Sequence, residues 1–202
     1  FDGIVAACGT HIEFEGEKLF ELLLTKAQIE HSLTVLRKHQ IPMVLEGPNY
    51  IYVDEKDFKD DPYVIYLRNE LGENLKNITG TGSYEVNKLS AELGNADAEL
   101  VRKELGTEFD MIVHEPDGIL EIGQAGHSKA SGIERLCTAL GIAKEDTYAF
   151  GDSANDVEML AFVAHGIAMG NGTDVAKNAA EFVTTDIHAD GIWNGLKHYG
   201  LI

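Results

Sequence analysis

The amino-acid sequence predicts an α/β fold in which a parallel-sheet core carries an inserted α+β domain. Two patterns in its 202 residues indicate this class. In the carboxy-terminal part, short apolar runs alternate with helical patterns, an order typical of parallel βαβ units. The middle of the chain instead combines hairpin turns with separate helices. We therefore expect the core at residues 1–10 and 123–202 and the inserted domain at residues 11–122.

The core elements follow from apolar runs and from helix-start residues. An apolar run at residues 3–7 predicts one core strand ahead of the insert. After the insert we expect strands at 147–150, 166–169 and 181–184, with helices at 128–140, at 155–163, from 173 and at 189–199. Because parallel sheets bind ligands at the carboxyl ends of their strands, the loops after these strands form the candidate site.

The elements of the insert follow from turn and capping signals. The segment Val86–Leu93 is compatible with either a strand or a helix. In chain order we expect a hairpin of Thr10–Phe14 with Lys18–Leu24, a helix that begins at a capping box of Thr25 and Gln28, strands at Met43–Leu45 and Tyr50–Val53, a helix from Asp61-Pro62 to Gly72, a helix from Asn95 as its cap to Leu105, and a hairpin of Phe109–His114 with Ile119–Ile122 around Pro116-Asp117-Gly118.

The charge balance limits the partners of the protein. The chain has 34 Asp and Glu against 16 Lys and Arg, a net charge of −18. Because such a surface repels phosphate backbones and anionic headgroups, we expect binding neither to nucleic acid nor to a membrane. No apolar run approaches the roughly 20 residues of a membrane span. Cys8 and Cys137 lack Cys-x-x-Cys spacing, which favours free thiols and a cytoplasmic location.

The most specific motif is Gly151-Asp152-Ser153-Ala154-Asn155-Asp156, which directly follows the apolar run Tyr148–Phe150. It places two carboxylates and an amide at a strand end beside a helix amino terminus, where anions are favoured. Asp152 is placed to ligate a hard cation such as Mg²⁺. Asn155 can donate to a phosphoryl oxygen, and Asp156 suits an outer position that orients the loop or a metal-bound water. The spacing alone is equally compatible with simple helix capping.

Lys129 lies in the first turn of the helix that follows Gly126-His127-Ser128, where the helix dipole disfavours a cation. A Lys there can serve a phosphate or a carboxylate cluster, and a solvated surface Lys is the alternative. The Gly-rich loop at 166–172 is neither a Walker A loop nor a GxGxxG motif. We expect it to form a tight turn that flanks the site, with Thr173 or Asp174 capping the next helix.

These motifs in this order resemble the haloacid dehalogenase (HAD) superfamily, specifically the Cof-type phosphatases with a large α/β cap. The resemblance implies a HAD-like, Rossmann-like core with the insert as its cap domain. It also favours a catalytic interpretation of the motifs over helix capping and a surface Lys. The segments that carry it are Leu120-Glu121-Ile122, His127-Ser128-Lys129-Ala130, the run from Gly151 to Leu160, Ala168-Met169-Gly170-Asn171-Gly172 and Ala189-Asp190-Gly191-Ile192.

The resemblance implies a Mg²⁺-dependent phosphatase of small phosphorylated metabolites, usually sugar phosphates, that acts through an aspartyl-phosphate. In the family, an Asp nucleophile in a DxDGT motif attacks phosphorus, and a second Asp acts as acid and base. The expected catalytic residues here are Lys129, which neutralises phosphate charge, Asp152, which holds Mg²⁺, and Asp156, which supports the metal site. Lys129 and Asn155 are the expected substrate-binding residues.

The start of the chain departs from the family pattern. The sequence contains no DxDGT motif, and it begins Phe1-Asp2-Gly3 without an initiator Met. We therefore expect a fragment that lacks the nucleophile segment and is inactive as a phosphatase, whereas its intact parent is active. Cys8 stands where relatives commonly have the Asn of an Asn-Gly pair, a departure that affects the substrate contacts expected near the hinge.

Two other functions are compatible with the sequence. A phosphomutase of the same superfamily shares the aspartyl-phosphate chemistry but returns the phosphate to a sugar, so analysis of the products separates it from a phosphatase. A non-catalytic binding module is the alternative if the reading frame begins near Phe1. The sequence predicts neither the individual substrate nor the oligomeric state.

Overall fold

The structure is a computed structural model that describes residues 1–79, 84–114 and 117–202. The chain forms two compact units. The first comprises Phe1–Leu19 and His127–Ile202, and the second comprises Phe20–Gly126. The units therefore divide the chain nine and four residues later than the predicted boundaries at 10 and 122. Their assignment as core and cap domain stays a prediction.

The chain opens with three strands: β1 (Gly3–Ala6), β2 (His11–Phe14) and β3 (Glu17–Glu21). They form a three-stranded sheet in that order, and β1 and β2 are antiparallel, with Val5 opposite Ile12. The predicted strand at residues 3–7 is present, but among the described residues it pairs in this sheet and not with the parallel strands. The predicted hairpin strand that extended to Leu24 ends three residues earlier.

The second unit is built on a mixed sheet. Among the described residues the strand order is β6-β5-β4-β7-β9-β8, in which β5 and β6 are parallel and every other neighbouring pair is antiparallel. Its described elements in chain order are α1 (Lys26–Lys38), β4 (Met43–Glu46), β5 (Ile51–Val53), α2 (Glu55–Phe58), α3 (Pro62–Leu71), β6 (Leu75–Asn77), β7 (Lys88–Glu92), α4 (Ala98–Leu105), β8 (Phe109–His114) and β9 (Ile119–Gln124).

The core of this unit explains why α1 forms where the sequence predicts it. The side chains of Thr25 and Gln28 make the predicted capping box. The stripe of Ile29, Leu33 and Leu36 is buried against apolar residues of the sheet. Because the apolar positions recur at helical spacing, one face of α1 is removed from water along its whole length.

Three details of the insert differ from the sequence prediction or complete it. The helix α4 is capped by Asp97 and not by Asn95, because the Asp97 carboxylate accepts hydrogen bonds from the backbone of Glu99 and Leu100. The ambiguous segment Val86–Leu93 contains the strand β7. The strands β8 and β9 pair as the predicted hairpin, and Pro116 of its predicted turn lies outside the described residues.

The carboxy-terminal part of the first unit alternates helices and strands as predicted. The strands β10, β11 and β12 are parallel neighbours in that order. None of the helices in the described residues is long and apolar enough to cross a membrane. The elements are α5 (Lys129–Leu140), β10 (Tyr148–Gly151), α6 (Val157–Phe162), β11 (His165–Ala168), α7 (Asp174–Ala179), β12 (Phe182–Val183) and α8 (Gly191–His198).

Two glycines bring the amino-terminal segment close to α5. A Cβ atom on Gly132 would lie 2.7 Å from the Cα of Gly9 and 2.6 Å from Cγ1 of Val5. A Cβ atom on Gly9 would overlap the carbonyl oxygen of Ser128. Since any larger residue would push the two segments apart, this contact fixes residues 7–9 beside the first turn of α5, where Lys129 lies.

Candidate active site

The site lies at the carboxyl ends of β10 and β11, where the fold class predicts it. The loops that follow these two strands are joined by backbone hydrogen bonds. The amide of Met169 donates to the carbonyl of Gly151 at 2.9 Å, and the amide of Thr173 donates to the carbonyl of Asp152 at 2.8 Å. Thr173 also caps α7, one of the two predicted caps. The Gly-rich loop therefore flanks the Asp152 loop.

Asp156 is the centre of the side-chain network. Its Oδ1 atom lies 2.6 Å from the ammonium of Lys129, and its Oδ2 atom accepts from the backbone amides of Asp152 at 2.9 Å and Ser153 at 3.0 Å. Gly151 makes room for this carboxylate, because a Cβ atom there would lie 2.6 Å from the Cβ of Asp156. The Asp156 side chain is 6% exposed and that of Lys129 is 35% exposed.

The surroundings of Asp156 keep its carboxyl group ionised. Burial is the largest single influence and raises the pKa of Asp156. The hydrogen bond from Lys129, the backbone amides of Asp152 and Ser153, and the positive charge of Lys129 act in the opposite direction and together hold that pKa below its usual range. The ion pair is thus a fixed element of the site at neutral pH.

Asn155 is joined to the same network through its side-chain oxygen. The Oδ1 atom of Asn155 accepts from the Lys129 ammonium at 3.2 Å and from the Ser153 hydroxyl at 2.7 Å. One ammonium group therefore bridges the amide and the Asp156 carboxylate. The structure brings three of the predicted residues, Lys129, Asn155 and Asp156, into direct contact.

Asp152 is exposed, and it is joined to the network through its backbone. In the part of the chain that the structure describes, its carboxylate makes no hydrogen bond or ion pair. A hard oxygen donor without a protein partner fits a ligand of Mg²⁺, which takes only one or two carboxylates. No group of three or more His, Cys, Asp or Glu that could hold a metal ion occurs among the described residues.

The residue that sequence reasoning missed is Ser153. It contributes its backbone amide to Asp156 and its hydroxyl to Asn155, so it contacts two of the predicted residues. The signal available in the sequence was a hydroxyl residue two positions before an Asn in a strand-to-helix loop, a spacing at which Ser side chains bond to neighbouring polar groups.

Cys8 has a backbone conformation that Asn adopts more readily than Cys. Its φ and ψ angles are 55° and 36°, in the left-handed region. Asn adopts this region far more readily than most residues, because its short polar side chain bonds locally. Cys8 therefore occupies a conformation that Asn would adopt with less strain.

The family of the chain follows from comparison with known proteins. Residues 2–196 match the model of the haloacid dehalogenase-like hydrolases. The chain belongs to this family, and the resemblance inferred from the sequence motifs is confirmed.

Relatives and solved structures agree with this assignment. The chain is 33% identical to the 5-amino-6-(5-phospho-D-ribitylamino)uracil phosphatase YitU of Bacillus subtilis, over 66% of this chain and 47% of that protein. It is 29% identical to a phosphoglycolate phosphatase of Halobacterium salinarum, over 75% of this chain and 76% of that protein. The structure of the HAD subclass IIB sugar phosphatase BT4131 matches with a TM-score of 0.83 and 23% identity, over 100% of this chain and 77% of that chain. The chain spans less than half of YitU.

Proposed function

We propose that the protein is a phosphoric monoester hydrolase, a Mg²⁺-dependent phosphatase of small phosphorylated metabolites that acts through an aspartyl-phosphate. The observation that carries the proposal is the contact of Lys129 with both Asn155 and Asp156, at 3.2 Å and 2.6 Å, at the carboxyl edge of the parallel sheet. A cation, an amide and an exposed carboxylate together suit the charge of a phosphoryl group.

Each side chain has a distinct part in this proposal. Lys129 offsets the negative charge of the phosphoryl oxygens, and Asn155 donates a hydrogen bond to one of them. Asp152 would hold Mg²⁺, which when bound withdraws charge from the phosphoryl group. Asp156 acts through Lys129, because both of its oxygens are already committed to hydrogen bonds.

The nucleophile of the proposed reaction is not among these side chains. Asp156 is unsuitable, since its ion pair with Lys129 and its two backbone hydrogen bonds hold it in place. The family resemblance assigns the nucleophile to a DxDGT motif, which the 202 residues do not contain. The test below therefore uses a polypeptide in which these residues are combined with that motif.

The substrate class rests on relatives. YitU is named for a substrate with a 5-phospho-D-ribityl group, and the H. salinarum relative is named for phosphoglycolate, so both names specify small phosphate esters. We propose small polar phosphate monoesters, with sugar phosphates foremost. The second unit is proposed as the cap that discriminates between leaving groups.

The test is the removal of Lys129 and of Asp152. We expect Lys129→Ala and Asp152→Ala each to lower Mg²⁺-dependent hydrolysis of sugar phosphates by about 10²-fold or more, because each removes charge stabilisation of the transferring group. Released inorganic phosphate is the readout, and an isomerised sugar phosphate instead would identify a phosphomutase. The matched controls, Lys197→Ala and Asp146→Ala, change exposed residues and should keep full activity. Activity that survives both site substitutions would exclude the proposed function.

A further inference from the structure

We propose that Ser153 is a positioning residue, whose hydroxyl fixes the direction of the Asn155 amide so that its NH₂ group is presented to the phosphate. The inference deepens the proposed function and rests on it for the identity of the ligand. It starts from two donors that converge on one atom, the Oδ1 of Asn155.

The identity of that atom follows from the chemistry of Lys129. An ammonium group has three donors and no acceptor, so the Asn155 atom that faces it at 3.2 Å must be the amide oxygen. The hydroxyl of Ser153 reaches the same oxygen at 2.7 Å, the shorter of the two contacts. Because the NH₂ group is attached to the same planar carbon, it is directed away from both donors.

The hydroxyl of Ser153 becomes most important when an anion arrives. A phosphate dianion attracts the Lys129 ammonium, which is also held by Asp156 at 2.6 Å, and thereby competes with the weaker contact to Asn155. The neutral hydroxyl of Ser153 is not drawn to the phosphate in the same way. It therefore keeps the amide oxygen in place, whereas a rotated amide would turn its oxygen toward the anion.

The backbone of Ser153 is held in place by hydrogen bonds that do not involve its side chain. The backbone amide of Ser153 donates to Asp156 Oδ2 at 3.0 Å, and the amide of Asp152 donates to the same oxygen. Ser153→Ala keeps both of these hydrogen bonds and removes only the hydroxyl. The hydroxyl also lies 3.4 Å from Asp156 Oδ2, so the substitution removes this longer contact together with the 2.7 Å contact to Asn155. It keeps the backbone anchor of the loop.

The experiment follows the side-chain amide of Asn155 by ¹⁵N NMR during titration with inorganic phosphate in the presence of Mg²⁺. In the unmodified chain we expect one narrow pair of NH₂ resonances that shifts with phosphate. In Ser153→Ala we expect a shifted or broadened pair and about tenfold weaker phosphate binding, the effect of one lost hydrogen bond. Ser153→Thr keeps a hydroxyl on extended backbone and should restore both. Thr138→Ala, an exposed position of α5 whose hydroxyl donates to the carbonyl of Glu134, is the control and should leave the Asn155 resonances unchanged.

Kinetics separate positioning from general structural support. In a catalytically active polypeptide, Ser153→Ala should raise KM about tenfold and leave kcat within about threefold. Resonances and phosphate affinity that are unchanged in Ser153→Ala would overturn the inference, as would equal losses in the Ala and Thr variants. The NH₂ resonances of the unbound chain report the Ser153 contact even if no hydrolysis occurs, so failure of the proposed function is distinguishable from failure of the inference.

Discussion

Asp156 joins three residues of the candidate site through its two carboxylate oxygens. It is buried, it is paired with Lys129, and it holds two consecutive backbone amides, those of Asp152 and Ser153. The sequence motif predicted an outer position for Asp156, and this role stays a prediction. The hydrogen bonds to its oxygens and the charge of Lys129 together lower the pKa of its carboxyl group.

This lowered pKa makes the stability of the protein depend on pH. The Asp156 carboxylate stabilises the folded state fully above the ordinary Asp range of about pH 4, and this contribution is lost as the pH falls through the lowered pKa. We expect Asp156→Asn to lower the free energy of unfolding at pH 7 by about 1–2 kcal/mol, since a charged hydrogen-bond acceptor becomes neutral and Lys129 is partly screened by solvent. The difference between the variant and the unmodified protein should narrow toward pH 3.

Urea denaturation at pH 7, 5 and 3 measures this effect. Asp146→Asn replaces an exposed carboxylate and serves as the control. A difference between Asp156→Asn and the unmodified protein that is constant from pH 7 to pH 3 would contradict the linkage.

At the scale of elements, α5 determines where Lys129 stands. Its first turn is held by the capping box of Ser128 and Ser131, and the same turn contacts the amino-terminal segment at Gly132. The glycine is buried and lies within the helix, where an Ala would ordinarily be preferred by about 1 kcal/mol. Close approach to Gly9 therefore outweighs helix propensity at this position.

We expect Gly132→Ala to destabilise the protein by about 1–3 kcal/mol, because a Cβ atom would overlap Gly9 and Val5. Denaturant unfolding followed by circular dichroism measures the change. Glu134→Ala, an exposed position of the same helix, should alter the stability by no more than about 0.5 kcal/mol. A Gly132→Ala protein that is more stable than the unmodified one would show that propensity prevails.

Much of the element order was predictable from the sequence, for local reasons. The capping box at Thr25 and the Pro62 helix start carry their own signals, and both are confirmed. The cap of α4 was predicted two residues early because Asn95 and Asp97 are both good caps, and only the geometry of the backbone selects Asp97. The sheet to which β1 belongs depends on pairing with β2, which no local pattern specifies.

For the candidate site, too, the sequence predicted local features but not contacts between distant residues. The carboxylates and the amide were evident from one motif, but the contact of Lys129 with Asp156 joins residues 27 positions apart. The role of the Ser153 hydroxyl was not evident, because it depends on which atom of Asn155 faces Lys129. Such orientation is a property of the folded network and not of residue spacing.

At the scale of the whole molecule, the chain comprises two compact units with separate apolar clusters. Leu36 is fully buried in the core of the second unit. We expect Leu36→Ala to destabilise that unit by about 2–5 kcal/mol, the cost of a buried cavity. Hydrogen exchange resolved by peptide should show lost protection within residues 20–126 and little change within 127–202.

A second substitution provides the reciprocal control. Ile167 is buried in strand β11, and Ile167→Val creates a smaller cavity there. This substitution should instead lower the hydrogen-exchange protection of residues 127–202. Equal loss of protection throughout the chain in both variants would show that the two units unfold as one cooperative body.

Residues near the two ends of the second unit lie close together. The side-chain amide of Gln124 donates to the carbonyl of Leu22 at 3.5 Å, and the side chain of Asn87 donates to the same carbonyl at 3.1 Å. A unit whose entry and exit lie side by side can be exchanged for another of different size without stretching the chain that carries it. We therefore expect that a module of another size can replace residues 20–126 when it is joined to the chain near Leu22 and Gln124.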